Sequence, residues 1–158
     1  MMLEKLQITS KALIILLLTI SFSSAELLNP DSTISPQEVV KIQLSGLQKN
    51  DLKYKDSGIE QTWNFAHPMN KQATGPLDRF KEMLKSNNYQ MMINHISHTI
   101  TQVRRGDDWV QFEVIILDKE KIYHKFNWQV EKFIEDGPLK DCWLTTMVSS
   151  PESLGSSI

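Results

Sequence analysis

The spacing of apolar residues changes at His95, and no other feature of the sequence limits the fold as much. Before it, apolar side chains recur at three- and four-residue intervals; after it they alternate. Residues 95–104 alternate up to Arg105-Gly106-Asp107-Asp108, a turn signal. A strand over 109–117 follows, with Val110, Phe112, Val114 and Ile116 on one face. Asp118-Lys119-Glu120-Lys121 is the next turn, and a long strand over 122–133 places His124, Phe126, Trp128 and Val130 together. Glu135-Asp136-Gly137-Pro138 is a loop, 142–148 a last strand, and 149–158 a loose, flexible tail. Such a meander has one apolar face, and only the preceding helices can cover it. The expected class is therefore α+β, with N-terminal helices packed on one face of a curved four-stranded antiparallel meander.

The helices are marked by their ends. Ser35 suits an N-cap, Pro36 the first helical position, and Glu38 a capping box. Val39, Val40, Leu44 and Leu47 form the apolar stripe of that helix, which Asn50-Asp51 ends. A shorter helix over 58–65 is interrupted by Pro68, because the residue before proline is pushed out of the helical region. Thr74-Gly75-Pro76 opens a third, with Leu77, Phe80, Met83 and Leu84 on its apolar side and Asp78 on its polar side. Residues 89–94 suit one further turn.

Residues 1–25 read as an export signal. Lys5 and Lys11 are basic, Ala12 to Ile20 is apolar apart from Thr19, and Ser23-Ser24-Ala25 places small residues before Glu26. That apolar core is about half of the roughly 20 residues that a spanning helix needs. After cleavage the protein is expected not to be an integral membrane protein, and to be periplasmic, secreted or luminal. It would then comprise an irregular leader, 26–34, and a single domain, 35–148, before the tail. The chain has 17 Lys and Arg against 19 Asp and Glu. No basic surplus exists to neutralise phosphates, so nucleic acid is not an expected partner. Cys142 is the only cysteine, so no internal disulfide is available and a buried apolar role is expected.

The densest unusual segment runs from Trp63 to Pro76. It can form a pocket rim. Equally, Asn64, Asn70 and Thr74 can cap backbone groups while Trp63 and Phe65 enter the core. The pattern W-N-F-A-x-P-x-N-K-x-x-T-G-P, with Arg79-Phe80, Met83, Tyr89, Asn94-His95, Phe126-x-Trp128 and Gly137-Pro138-x-x-x-Cys142-Trp143-x-Thr145, resembles a family of exported domains of unknown function. The resemblance covers roughly 35–148. It implies a cone-shaped fold similar to the nuclear-transport-factor-two-like and cystatin-like proteins, often built around a pocket. It implies no catalytic residues.

The histidines raise a metal reading. His95 and His98 are three apart, which on a strand sends them to opposite faces. No metal-ligand motif, phosphate loop or dinucleotide fingerprint is present, so neither metal nor cofactor is expected. Strand register instead sets His98 and His124 on either side of Ile116, about 10 Å apart on the helix-facing side and without a carboxylate partner. Three functions remain open. One is binding of a small hydrophobic molecule in a cavity bounded by Trp63, Phe65, Asn70, Arg79, His98, His124, Phe126 and Trp128. Another is a proton-transfer enzyme of isomerase or hydrolase type, with His98 or His124 as base and Asn64 or Arg79 polarising a carbonyl. The last is assembly, including self-association, through Ile115, Leu117 and Tyr123 on the outer sheet face.

Overall fold

A computed structural model describes residues 26–156. The proposed signal, 1–25, lies outside the described residues. Four α-helices, α1 (Pro36–Gln48), α2 (Ser57–Asn64), α3 (Pro68–Thr74) and α4 (Leu77–Leu84), are followed by a 3₁₀ turn over Gln90–Met92. Then come β1 (Ser97–Arg105), β2 (Trp109–Leu117), β3 (Ile122–Lys132), β4 (Trp143–Val148) and β5 (Glu152–Ser156). The result is an α+β fold on an open five-stranded antiparallel sheet. No helix among the described residues is long and apolar enough to cross a membrane.

The expected register holds along β2–β3 and along β1–β2 as far as Gln102, beyond which a bulge shifts it by one residue. Ile100 pairs with Val114, His98 with Ile116, Ile116 with His124 and Phe112 with Trp128. Burial alternates accordingly: Val110, Phe112, Val114, Ile116, Phe126, Trp128 and Val130 are buried. On the outer face Ile115 and Leu117 are half-buried and Tyr123 is exposed.

The expected tail is partly a strand. Residues 152–156 form β5, which continues along the β3 edge where β4 stops, so one long strand carries both partners on one side. Ser149 makes the transition: its amide donates to the Asn127 carbonyl and its hydroxyl accepts the Asn127 amide, both at 2.9 Å. β5 has no apolar alternation because all five of its residues are exposed. Backbone pairing with β3, rather than side-chain burial, holds it.

α1 lies across the sheet against β1, β3 and β4. Its start is as expected: the Ser35 hydroxyl accepts the Glu38 amide at 3.3 Å. The Glu38 carboxylate pairs with Lys41 instead. Val39, Val40, Leu44 and Leu47 are fully buried, and Gln43 is buried among them.

As expected, the second helix stops before Pro68: α2 ends at Asn64, and His67 lies outside the helical region at ψ 145°. The segment up to Pro76 also contains a helix that was not expected, α3, which Pro68 begins. Proline fits the first helical position, where its missing N–H is unused anyway. His67 caps the helix, its Nδ1 accepting the Met69 amide at 3.1 Å. Just before it, the chain pairs with β4 in a single parallel bridge: the Thr145 amide donates to the Phe65 carbonyl, and the His67 amide to the Thr145 carbonyl, each at 2.8 Å. Cys142 is buried, as expected for a lone cysteine, and burial pushes its thiol up.

Candidate functional site

α3 buries no residue and α4 buries only Phe80 and Leu84. Two helices this short cannot fill the space between α1 and the β3–β4 surface. A cavity of about 100 Å³ remains there. Leu47, Ala66, Phe80, Leu84, Met92 and Trp128 form its buried apolar wall, with Gln43, Thr62 and Thr145 at the polar base. Half-buried Asn70, Thr74, Met83, Tyr89 and Val148 form the mouth.

The base is a closed hydrogen-bond knot. Gln43 Nε2 donates to the Thr62 carbonyl at 3.0 Å. Gln43 Oε1 accepts the Thr145 hydroxyl at 2.6 Å and the Trp128 indole N–H at 3.2 Å. That N–H also reaches Thr145 Oγ1 at 3.1 Å. The Thr62 hydroxyl donates to the Gly58 carbonyl at 2.9 Å. Among the described residues, no buried side-chain nitrogen or oxygen lacks a partner. Gln43 was not found by sequence reasoning, although a signal existed: one polar residue inside the stripe of Val39, Val40, Leu44 and Leu47 asks for a buried partner.

Of the eight residues expected around a pocket, Asn70 and Trp128 line this one. Phe65 and Phe126 are fully buried core and do not. Trp63 packs its ring 5.0 Å from that of Phe80, with the Lys71 ammonium 5.5 Å over the indole. Arg79 is exposed beside Gly75. The capping expectation holds for the polar residues of the segment. Asn64 Nδ2 reaches the Leu28 carbonyl at 3.4 Å, Asn70 Nδ2 the Thr145 carbonyl at 3.3 Å, and the Thr74 hydroxyl the Asn70 carbonyl at 2.8 Å.

The histidines flank Ile116 as the register requires, yet neither lines the cavity. His124 also has the carboxylate partner that was not expected. Asp118 Oδ2 accepts from His124 Nε2 at 2.7 Å, while Oδ1 accepts the Ile122 amide at 2.9 Å. Both side chains are buried. Burial opposes the charge of Asp118, but the Ile122 amide and the His124 ring hold its carboxyl below the ordinary value. Asp118 reads as a turn residue in sequence; that turn folds back so that its carboxylate meets the third residue of β3.

His95 and His98 do not diverge. β1 begins at Ser97, so His95 precedes the strand and turns inward, and its Nε2 meets His98 Nδ1 at 2.7 Å. His95 Nδ1 lies 2.7 Å from the Met92 carbonyl. A carbonyl only accepts, so His95 must donate from Nδ1; its Nε2 then accepts from His98 Nδ1. The neutral pair thus has one tautomer each, and a first added proton can enter at His98 Nε2 without breaking either bond. Among the described residues, no group of three or more potential metal ligands occurs.

Burial pushes His95 down to about 4, against the pull of the Met92 carbonyl, and the nearby His98 adds to the depression. The unfolded chain, at about 6.5, binds more protons than the folded one between these values. The His95 contribution to stability should therefore be fully present well above pH 6.5 and fall by roughly 2–3 kcal/mol as pH drops from 6.5 toward 4. Urea midpoints at steps across that range measure it. A flat profile would place the His95 ring in water, and His95→Gln should flatten the slope.

Comparison with protein-family models, with curated proteins and with solved structures returns no match.

Proposed function

We propose that this chain is an exported binding module that holds a small hydrophobic molecule between its sheet and helices. The observation that carries this reading is the cavity of about 100 Å³ above the Gln43–Thr145–Trp128 knot. Cores are ordinarily packed with few voids larger than a water molecule. Here the polar base is satisfied from within, so water gains little by occupying it, and apolar side chains supply most of the wall. Such a space favours an apolar guest. The family resemblance, with its expectation of a pocket in a cone-shaped fold, points the same way.

The test is ligand-observed NMR with benzene as probe, on the native protein and on Val148→Phe. Val148 sits half-buried at the mouth, where a larger side chain would occlude the opening. Benzene should bind the native protein and be lost in the variant, with the urea midpoint little changed. Absence of benzene binding to the native protein would remove this reading.

A second reading, a proton-transfer enzyme, is favoured by the Asp118–His124 pair. The carboxylate orients the ring, and among the described residues His124 Nδ1 has no hydrogen-bond partner. A separate recess of about 250 Å³, bounded by Gln90, Met91, Asp118, Lys119 and Glu120, lies beside it. This reading ranks second because His124 itself lines neither this recess nor the apolar cavity.

A further inference from the structure

The cavity has a chemical bias beyond being apolar. None of its lining side chains carries a charge at neutral pH. An ionic group held in the cavity or at its half-buried mouth would lose part of its hydration and find no counter-charge, so a neutral guest is favoured.

Its polar end is fixed by what remains unpaired. At the base, Gln43 and Thr145 are committed to one another and to Trp128. At the mouth, Asn70 uses Nδ2 on the Thr145 carbonyl, and its Oδ1 has no partner among the described residues. Tyr89 also lines the mouth, and its hydroxyl has no partner among the described residues either. An amide oxygen accepts, and a phenolic hydroxyl both donates and accepts. A guest hydroxyl between them can donate to Asn70 and accept from Tyr89.

Size and wall chemistry fix the other end. A cavity of roughly 150 Å³ holds benzene when lined by aliphatic and aromatic groups. This one is about 100 Å³ but open at its mouth, so one ring fits with its substituent outward. Met83 and Met92 present thioethers, which contact aromatic rings favourably and adapt their shape.

We propose that the cavity selects a neutral, single-ring phenol, its ring against Phe80, Met83 and Met92 and its hydroxyl between Asn70 and Tyr89. The proposal rests on the binding reading above. The test compares benzene, phenol and benzoate by NMR titration of the full protein. Phenol should bind about tenfold more tightly than benzene, as one net hydrogen bond allows, and benzoate should not bind. Asn70→Leu should sharply reduce the preference for phenol over benzene. Tyr89→Phe removes only a hydroxyl and should cut the phenol preference without altering the fold, which covers the case of an unfolded Asn70 variant. Equal affinity for benzene and phenol, a phenol preference that survives both variants, or benzoate binding as tight as phenol would each overturn the selectivity while leaving the cavity a binding site. Failure of all three probes would overturn both.

Discussion

Trp128→Ala should lower the stability of the domain by roughly 3–5 kcal/mol, in the range for deleting a buried aromatic side chain. The indole is 1% exposed and stands at the centre of β3, on the inner face of the sheet. Its removal would not open an isolated void. It would join the existing cavity of about 100 Å³, so the surrounding chains would have more space to cross before they could close it. The cost of such a deletion rises with the cavity left behind. The Thr145–Gln43 hydrogen bond at 2.6 Å survives, so the loss is mainly one of packing. The indole shares the cavity wall with Phe80 and Leu84 of α4, and its N–H is held by Gln43 of α1. Urea denaturation of the variant measures the effect, with Trp128→Phe as the intermediate case. Domains are commonly stable by about 5–15 kcal/mol. A variant with an unchanged midpoint would mean that the indole does not anchor the inner face.

Gly58→Ala should be comparably damaging, above about 3 kcal/mol, at the severe end of overpacking. Intrinsic helix propensity alone argues the opposite sign, since alanine is favoured over glycine in helices by about 1 kcal/mol. Geometry decides. A Cβ on Gly58 would lie 2.0 Å from the Gly46 carbonyl oxygen, 2.5 Å from its carbon and 2.8 Å from Asn50 Cα. All three are backbone atoms, so no side chain can swing aside. The crossing is also pinned: the Gly58 amide donates to the Asn50 carbonyl at 2.8 Å, and the Ile59 amide to Asn50 Oδ1 at 3.0 Å. The contrast is Gly46→Ala, whose Cβ would meet the Gly58 carbonyl at 3.2 Å and the Gln61 side chain at 3.3 Å, a contact that small shifts relieve. Thermal melts of the two variants should differ clearly. Equal melting temperatures would show that α1 and α2 separate at little cost.

The parts of this fold that sequence reveals are those in which local pattern and tertiary burial agree. β2 and β3 alternate because one face is buried, and two short turns then fix the register. The start of α1 is legible because Ser35 and Pro36 act within one turn. The misread parts are those in which a distant partner decides. β5 is polar and exposed, and only the β3 edge makes it a strand. α3 has no buried face to produce a periodic signal. His95 lies two residues before β1, and that small boundary shift reverses its direction, turning an expected divergence from His98 into contact. Of the site, Trp128 and Asn70 could be named from sequence. Gln43 is marked by its place inside the apolar stripe of α1, but its partners, like the Asp118–His124 pair, depend on contacts that no local pattern encodes.

The knot beneath the cavity also sets when the site can come into being. Its members are residues 43, 62, 128 and 145, and the Thr145–Gln43 bond spans 102 positions of the chain. Long-range closure of this kind forms late, after the local helices and hairpins. A chain still being synthesised, or one halted within β3, can have α1, α2 and the first hairpin in place but lacks the β4 residue that completes the base. Guest binding would thus report completion of the chain: a molecule added during refolding should stabilise only the last species to appear, and should slow unfolding without hastening collapse.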